Sequence, residues 1–258
     1  IDTKGVRVRR VAVFTGSRAN YSSTKTIIRG LNSDPDMEVV SIVGGAATLQ
    51  RYGAIDKLMV AEGLPKPAFT FNMYIDGESH SDMAKSCGLG IMEMSSILSN
   101  VDIDGLVVVG DRYDVMAPVI AAAYMNIPII HTMGGEVTGT IDESIRHAIT
   151  KFSHLHLVAN DDARERVIKM GELPENVMTV GCPRMDLVKE AIETDDLVGP
   201  TFYKKYPGVG PEVDIDGEFL LVSYHPVTTE AGTIRKHVDE LMAALGELAM
   251  PTIMLWPN

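Results

Sequence analysis

Residues 131–151 bring together side chains that can exchange protons and hold an anion. This stretch, HTMGGEVTGTIDESIRHAITK, contains Glu136, Glu143, Arg146 and His147 around a Gly-Gly turn. Carboxylates and histidines serve as general acids and bases, and arginine binds anionic oxygens. We therefore predict that Glu136 and Glu143 are catalytic and that Arg146 contacts the substrate.

A helix is predicted to begin after Thr140. Thr140 can accept hydrogen bonds from the free N–H groups of a helix start, and Glu143 can reach back to complete a capping box. Residues three and four positions apart share one side of a helix, so Glu143, Arg146, His147 and Thr150 are expected on one side. The expected apolar side consists of Ile141, Ile145, Ala148, Ile149 and Phe152.

Three apolar segments that read as strands are followed by polar side chains. These strand ends are Ser17-Arg18, Asp111-Arg112 and His131 to Glu136. In an open parallel sheet the carboxyl ends of the strands form one edge, and ligands bind there. Three such ends, two of them with an arginine, predict a binding site at this edge.

Each of these residues also has a plainer interpretation. Arg18 precedes a helix start, which favours an anion, but it can equally be a surface arginine paired with a neighbour. Asp111 follows a buried strand, where a raised pKa would suit proton transfer, yet it also precedes a helix. Glu143 can be only a capping residue, and Glu136 only a solvated turn residue.

Histidines outside this stretch have the same two interpretations. His225 follows an apolar strand and precedes Pro226, so it can meet a phosphate and exchange a proton, or simply bond to backbone. His154 and His156 alternate along a strand and are expected to face the same way. No third ligand with suitable spacing accompanies them, so we predict a structural role and no metal site.

Strands and helices alternate along the chain on the scale of a doubly wound α/β sheet. The predicted strands are 8–14, 38–44, 65–71, 105–109, 127–130, 155–158 and 177–180, then 219–223 and 252–256. The predicted helices end near 31, 62, 98, 125, 152 and 170, with a last helix at 233–248; the second covers 49–62. We expect an N-terminal Rossmann-like domain at 1–192, a linker at 193–217 and the start of a truncated second Rossmann-like domain at 218–258.

Composition excludes several classes of protein. The formal net charge of −12 argues against a nucleic-acid-binding surface. No apolar run is long enough for a membrane span, and no signal peptide is recognised at the start. Cys87 and Cys182 have no metal-ligand spacing and are expected to be reduced in a cytoplasmic protein. The GxGxxG motif of dinucleotide sites is absent from the sequence, so no nicotinamide cofactor is expected. A Walker A sequence is absent as well.

The order and spacing of several motifs resemble one known family. The motifs are TGSRANYS, VVVGDRYD, HTMGGEVTGTIDESIRHAITK, GCP, YHPVTTE and LWPN. The sequence is similar over nearly all of residues 8–258 to the hydrolysing UDP-N-acetylglucosamine (UDP-GlcNAc) 2-epimerases. That family includes bacterial sialic-acid-pathway enzymes and the epimerase half of the animal bifunctional epimerase/N-acetylmannosamine kinase.

The resemblance implies two Rossmann-like domains in a glycosyltransferase-B-like arrangement, with the substrate between them. The implied reaction converts UDP-GlcNAc and water into N-acetylmannosamine and UDP. UDP is eliminated across C1–C2, and water then adds to the opposite face at C2. No cofactor or metal is implied, and relatives are usually homo-oligomers.

The family motif positions also imply roles for single residues. The residues matching UDP contacts are Arg18, Ser22, Arg112, His225 and Asn258, and the acid–base positions match Asp111 and Glu143. His225 is expected to contact the diphosphate and to take part in catalysis.

Two positions depart from the family pattern. Many relatives have HIEGGE with a catalytic glutamate where this chain has Met133, and an aspartate where it has Asn20. Methionine cannot transfer a proton, so either Glu136 takes part or the substrate or reaction differs. The alternatives are the same chemistry on another nucleotide-activated N-acetylhexosamine, and a nucleotide-sugar-binding protein with weak turnover. A retaining glycosyltransferase is a weaker third possibility, because no acceptor is indicated.

Overall fold

The computed structural model describes residues 7–76, 80–194, 202–205, 208–225 and 233–255. The chain divides into two compact units, Ile1–Leu187 and Val188–Asn258. The predicted linker at 193–217 is described only in part and stays a prediction.

A seven-stranded parallel sheet organises unit 1. Its strands are β1 (Arg9–Thr15), β2 (Met37–Val43), β3 (Phe69–Thr70), β4 (Gly105–Val109), β5 (Ile129–Thr132), β6 (Leu155–Val158) and β7 (Val177–Thr179). The strand order is β3-β2-β1-β4-β5-β6-β7, and every neighbouring pair is parallel. The connections reverse direction between β1 and β4, and this switch point opens a crevice at the carboxyl ends of the strands.

Helices cover both faces of this sheet. They are α1 (Arg18–Asn32), α2 (Ile55–Ala61), α3 (His80–Leu98), α4 (Tyr113–Tyr124), α5 (Ile141–Phe152) and α6 (Asp161–Lys169); α7 (Arg184–Glu193) begins in this unit. One apolar cluster joins Val13 of β1 to Ile28 of α1 and Met59 of α2. Another joins Phe14 of β1 to Met94 of α3 and Val119 of α4. The predicted doubly wound α/β fold is therefore confirmed for this unit.

Burial explains why the central strands were recognisable. All five residues of β4, Gly-Leu-Val-Val-Val, are buried. A parallel strand covered on both faces needs apolar side chains at successive positions, so it reads as a continuous hydrophobic run. Leu106 of β4 pairs with Ile129 of β5, which sets the register that brings the two following loops side by side.

Two helix predictions were wrong. The region predicted as one helix at 49–62 contains a short 3₁₀ turn before α2, because Gly53 (φ +100°) and Ala54 (φ +43°) are left-handed and interrupt helical geometry. Helix α7 was missed altogether. Its apolar residues Val188 and Ile192 are exposed, so the segment lacks a buried stripe that would reveal a helix.

Unit 2 contains a small parallel sheet of two strands. These are β8 (Leu220–Ser223) and β9 (Thr252–Leu255), with Leu220 opposite Thr252. Helices α8 (Phe202–Lys205) and α9 (Ile234–Leu248) complete its described elements. No helix in the described part of the whole chain is long and apolar enough to cross a membrane.

Candidate functional site

A cavity of about 230 Å³ lies where β1, β4 and β5 end. Its lining includes the charged side chains of Asp111, Arg112, Glu136, Arg146 and Arg184. This is the edge that the strand-end pattern predicted, next to the switch point between β1 and β4.

A larger cavity of about 490 Å³ lies against the side of the sheet that carries α1. Val107, Ile130 and Leu157 contribute to a mostly apolar lining, and its charged members sit at the ends of elements. Since proton transfer and anion binding need converging polar groups, we assign the candidate site to the smaller cavity.

Arg146 ties two loops of the site together. Its side chain is only 4% exposed and donates to Asp111 Oδ2, while Nη1 donates to the Glu136 carbonyl at 2.7 Å. Burial lowers the pKa of Arg146, and the adjacent carboxylate compensates its charge. The ion pair thus fixes the Asp111 side chain at the cavity wall.

Arg112 is the N-cap residue of α4 and lines the same cavity. Its Nε lies 3.7 Å from the fully buried carboxylate of Asp114 and has no hydrogen-bond partner among the described residues. Burial raises the pKa of Asp114, and the Arg112 charge opposes that rise. The pKa of Asp142 follows the same pattern: burial raises it and Arg112 lowers it.

Glu136 is the carboxylate best suited to gain and lose a proton. Burial raises its pKa, and the charge of Arg184 pulls the pKa back down. Arg184 is fixed by two hydrogen bonds to α1, from Nε to Ser23 Oγ at 3.1 Å and from Nη2 to the Ala19 carbonyl at 2.9 Å. A raised pKa makes a carboxylate a stronger base, which suits proton abstraction.

Met133 occupies the wall where a glutamate stands in the resembling family. It lines the cavity, and its sulfur accepts a weak hydrogen bond from the Ser23 hydroxyl at 3.9 Å. Its φ of +65° is unusual for a residue with a side chain. The position is therefore held in a strained turn by its surroundings, as is common at functional sites.

His131 supports the site from beneath and does not line it. It is fully buried; its Nε2 lies 3.0 Å from the Gly110 carbonyl and its Nδ1 3.2 Å from Thr150 Oγ1. Burial lowers its pKa to about 4, so the ring is neutral near pH 7. Because a carbonyl only accepts, Nε2 carries the proton and holds Gly110, the residue before Asp111.

The structure brings four predicted site residues together, namely Asp111, Arg112, Glu136 and Arg146. Glu143 is not among the lining residues; it accepts hydrogen bonds from the N–H groups of Thr138 (2.8 Å) and Gly139 (2.7 Å). These bonds lower the pKa of Glu143 and make it a brace of the loop before α5.

Two further predicted residues, Arg18 and Ser22, lie in the first turns of α1, and their contacts with the nucleotide stay predictions. Arg18 is exposed at the first residue of the helix and does not line the cavity. Ser22 does not line it either, whereas the next residue, Ser23, is buried and contacts both Met133 and Arg184. A one-residue step turns a helical side chain by about 100°, which a motif match does not resolve.

The two remaining predicted residues belong to unit 2. His225 is exposed, and its Nε2 lies 3.0 Å from Ser223 Oγ. Asn258 lies outside the described residues. Their contribution to the site stays a prediction.

Helix α5 begins at the predicted residue but is capped differently. The Thr140 side chain makes no capping hydrogen bond, and Glu143 bonds to residues before Thr140. The expected apolar side is also incomplete, since Ile141 is 51% exposed. The polar residue Arg146 is buried instead, because it reaches the cavity.

His154 and His156 do not share an environment. His156 is buried beside Glu172, at 3.3 Å, whereas His154 is exposed and accepts from the Ile129 N–H. Within the described ranges, no group of three or more His, Cys, Asp or Glu side chains could hold a metal ion.

Comparison with known families decides the classification. Residues 29–258 match the family model described as UDP-N-acetylglucosamine 2-epimerase. The chain belongs to the UDP-N-acetylglucosamine 2-epimerase family. The resemblance inferred from the motifs is therefore confirmed.

Two curated members of the family are each 30% identical to the chain. One is the Legionella pneumophila UDP-N,N'-diacetylbacillosamine 2-epimerase (hydrolyzing), which aligns with 97% of this chain and over 64% of its own length. The other is the Neisseria meningitidis UDP-N-acetylglucosamine 2-epimerase, with 97% and 63%. The chain therefore spans less than two thirds of the length of these relatives.

Solved structures of the UDP-N-acetylglucosamine 2-epimerase family share the fold. The N. meningitidis UDP-GlcNAc 2-epimerase bound to UDP-GlcNAc gives a TM-score of 0.80 at 16% identity, covering 97% of this chain and 66% of that one. A Methanocaldococcus jannaschii enzyme in complex with UDP-GlcNAc and UDP gives 0.76 at 16% identity, covering 96% and 66%. These neighbours are glycosyltransferase-B-like, so the predicted fold class is confirmed.

Proposed function

We propose that this chain belongs to a hydrolysing 2-epimerase that converts UDP-GlcNAc and water into N-acetylmannosamine and UDP. The product would feed the synthesis of sialic-acid-like sugars. The observation that carries the proposal is the convergence of Asp111, Arg112, Glu136 and Arg146 on one cavity at the sheet edge, in a chain of this family. Homo-oligomeric assembly and a cytoplasmic location remain predictions from the sequence.

The elimination step requires a base and a group that stabilises the departing diphosphate. Glu136 takes the C2 proton, because burial raises the pKa of its carboxyl group, whereas Asp111 is already paired with Arg146. The C1–O bond breaks, its electron pair leaves with UDP, and the C1–C2 double bond forms. Arg112 lines the cavity and carries a positive charge, so we assign it to the leaving oxygen.

In the addition step water supplies a hydroxyl group to C1, and its remaining proton goes to C2 on the opposite face. Asp111 lies beside Arg112 on the wall formed by the β4 loop, and we assign it to take that proton from the attacking water and deliver it to C2. In this assignment Met133 only shapes the cavity. We propose that His225, Arg18, Ser22 and Asn258 add nucleotide contacts in the complete protein.

The sugar is the open part of this proposal. Relatives from Legionella and Campylobacter carry names of diacetylbacillosamine 2-epimerases, at 30% and 27% identity. Met133 gives the cavity an apolar contact in place of a charged one, which favours a less polar sugar as the second candidate. The chemistry at C1 and C2 would be the same.

Product analysis by NMR with the full-length protein tests the reaction. UDP and N-acetylmannosamine should be released together from UDP-GlcNAc. Release of N-acetylglucosamine instead would reassign the reaction, and consumption of only the diacetamido sugar nucleotide would reassign the substrate.

Glu136→Gln and Met133→Glu variants separate an enzyme from a binding protein. We expect Glu136→Gln to lower turnover by roughly 10² to 10⁴-fold, the usual contribution of a general base, while UDP binding measured by calorimetry is retained. Glu165→Gln, an exposed change on α6, is the matched control. Turnover that is negligible in the parent and gained in Met133→Glu would favour a nucleotide-sugar-binding protein.

A further inference from the structure

The start of α1 turns an unpaired donor toward the cavity. Asn20 is 6% exposed, and its Oδ1 accepts from the Ser17 N–H at 3.2 Å. Because a backbone N–H only donates, this bond fixes which end of the amide is the oxygen. Asn20 Nδ2 is consequently the other end, and it is buried without a hydrogen-bond partner among the described residues.

A buried amide donor without a partner is costly, and native proteins seldom keep one without a reason. Asn20 lines the 230 Å³ cavity in the first turn of α1, a helix of 15 residues. The first turn of a helix also offers backbone N–H groups and the positive end of the helix dipole. Both features favour a ligand with a negatively charged oxygen at this wall.

Arg184 adds a cation to the same wall. Its guanidinium group is attached to α1 through Ser23 and the Ala19 carbonyl, the residue next to Asn20. A guanidinium group has five N–H donors, and these two bonds use two of them. The remaining donors belong to an exposed side chain that lines the cavity.

The carboxylates that line the cavity do not accept hydrogen bonds from Asn20 Nδ2 or from the remaining N–H groups of Arg184 among the described contacts. The Asp111 carboxylate is occupied by Arg146, and the other lining carboxylate is Glu136 on the opposite loop. The α1 wall therefore presents donors from Asn20 and Arg184. Glu136 already interacts with the Arg184 charge, but an oxyanion from a ligand would form charge-assisted hydrogen bonds with both donors, which are stronger than bonds to a neutral hydroxyl.

We propose that Asn20 and Arg184 form an oxyanion subsite that determines which sugar nucleotide this cavity accepts. The inference rests on the proposed function, in that the oxyanion belongs to a nucleotide sugar. Its chemistry is a phosphate oxygen of the diphosphate or a carboxylate carried by the sugar. An aspartate at position 20 would present a second anion at this wall and repel both.

Calorimetric titration of the full-length protein with inorganic pyrophosphate, glucuronate and UDP tests the subsite. Asn20→Asp and Arg184→Met should each weaken binding of the recognised anion roughly tenfold or more, the usual loss for one charged hydrogen bond. Arg184→Lys should recover part of the affinity because it keeps the charge. A loss confined to pyrophosphate assigns the diphosphate, and a loss confined to glucuronate assigns a sugar carboxylate.

Two control substitutions are made far from the cavity, one at the amino end of the sheet and one after the end of α3. Arg7→Met removes an exposed arginine that pairs with Asp104 before β1, and Asn100→Asp alters an exposed asparagine after α3. Both should leave the titrations unchanged. Arg184 is exposed, so its variants remain informative if thermal unfolding shows that Asn20→Asp misfolds.

The outcomes separate the subsite from the proposed function. Unchanged binding of pyrophosphate, glucuronate and UDP in both Asn20→Asp and Arg184→Met overturns the subsite. A parent protein that does not bind UDP but loses pyrophosphate or glucuronate binding in these variants keeps the subsite and overturns the proposed function.

Discussion

Glu136 is subject to two opposing influences. Burial raises the pKa of its carboxyl group, and the positive charge of Arg184 lowers it. A buried carboxylate beside one cation can titrate at a pH where a general base is useful. The acidic limb of the pH–rate profile should therefore depend on Arg184, because its charge lowers the pKa of Glu136 without any contact with the reacting carbon.

Removal of the Arg184 charge should shift this limb. In Arg184→Met the pKa of Glu136 rises further, because burial is then unopposed, and a higher pH is needed to deprotonate the base. The acidic limb of kcat/KM should move to higher pH, and Arg184→Lys should restore it toward the parent position. The profile is measured from pH 4 to pH 9 by UDP release.

Arg7→Met is the control for this profile, since Arg7 is exposed and pairs with Asp104 at the amino end of the sheet. Its acidic limb should coincide with that of the parent. An unmoved limb in Arg184→Met would show that Glu136 does not govern the reaction.

The sequence located part of the site because strand ends are visible in it. Asp111 and Arg112 follow the apolar β4 after a single glycine, so their position at the sheet edge could be predicted. Ser23 and Arg184 could not, because they are 161 residues apart and meet only after the sheet has formed. Glu143 was assigned to catalysis from the family motif, and that role stays a prediction, while the structure shows that its carboxylate accepts hydrogen bonds from the loop before α5.

At the scale of elements, the turn between β5 and α5 shapes one wall of the cavity. Gly135 has φ +79°, and a Cβ atom at this position would lie 2.5 Å from the Ala163 carbonyl of α6. Both the backbone conformation and the close contact require glycine. The turn is thus fitted against α6, and this contact holds Met133 and Glu136 in place.

Gly135→Ala should therefore destabilise the protein. The expected loss in the free energy of unfolding is about 1 to 3 kcal/mol, the usual cost of a strained backbone conformation. It is measured by urea unfolding, and turnover should fall because Glu136 shifts with the turn.

The matched control is Gly88→Ala within α3. Gly88 is exposed in the helix, and nothing lies within 4 Å of a Cβ atom added there. This change should stabilise the protein by about 0.5 to 1 kcal/mol, since alanine favours a helix more than glycine does. Equal effects of the two substitutions would mean that the turn is not tightly constrained.

Element prediction succeeded where burial imposes a pattern. Strands β4 and β6 have the predicted bounds, since their alternating or continuous apolar residues follow from contact with helices. It failed around α2 because Ala54 has a left-handed backbone conformation, which a sequence normally signals with glycine or asparagine and not with alanine. The amphipathic pattern also predicted the wrong buried side for α5, because Arg146 is buried where it lines the cavity.

At the scale of the whole molecule, burial is divided unevenly between the two units. Every buried hydrophobic side chain among the described residues lies between Ala12 and Val177, within unit 1. The described part of unit 2 has the end of α7, two further helices and two strands, and none of its strand residues is fully buried. A unit without a buried core does not gain enough from the hydrophobic effect to offset chain entropy.

We therefore expect the two units to differ when they are produced separately. Residues 1–187 contain the complete seven-stranded sheet and should unfold cooperatively at nearly the same temperature as the whole chain. Residues 188–258 should show no cooperative transition, because the two-stranded sheet of this unit is too small to be stable alone. Circular dichroism during heating measures both. A sharp transition in residues 188–258 would contradict this division, since it would require a buried core, and among the described residues such a core lies in unit 1.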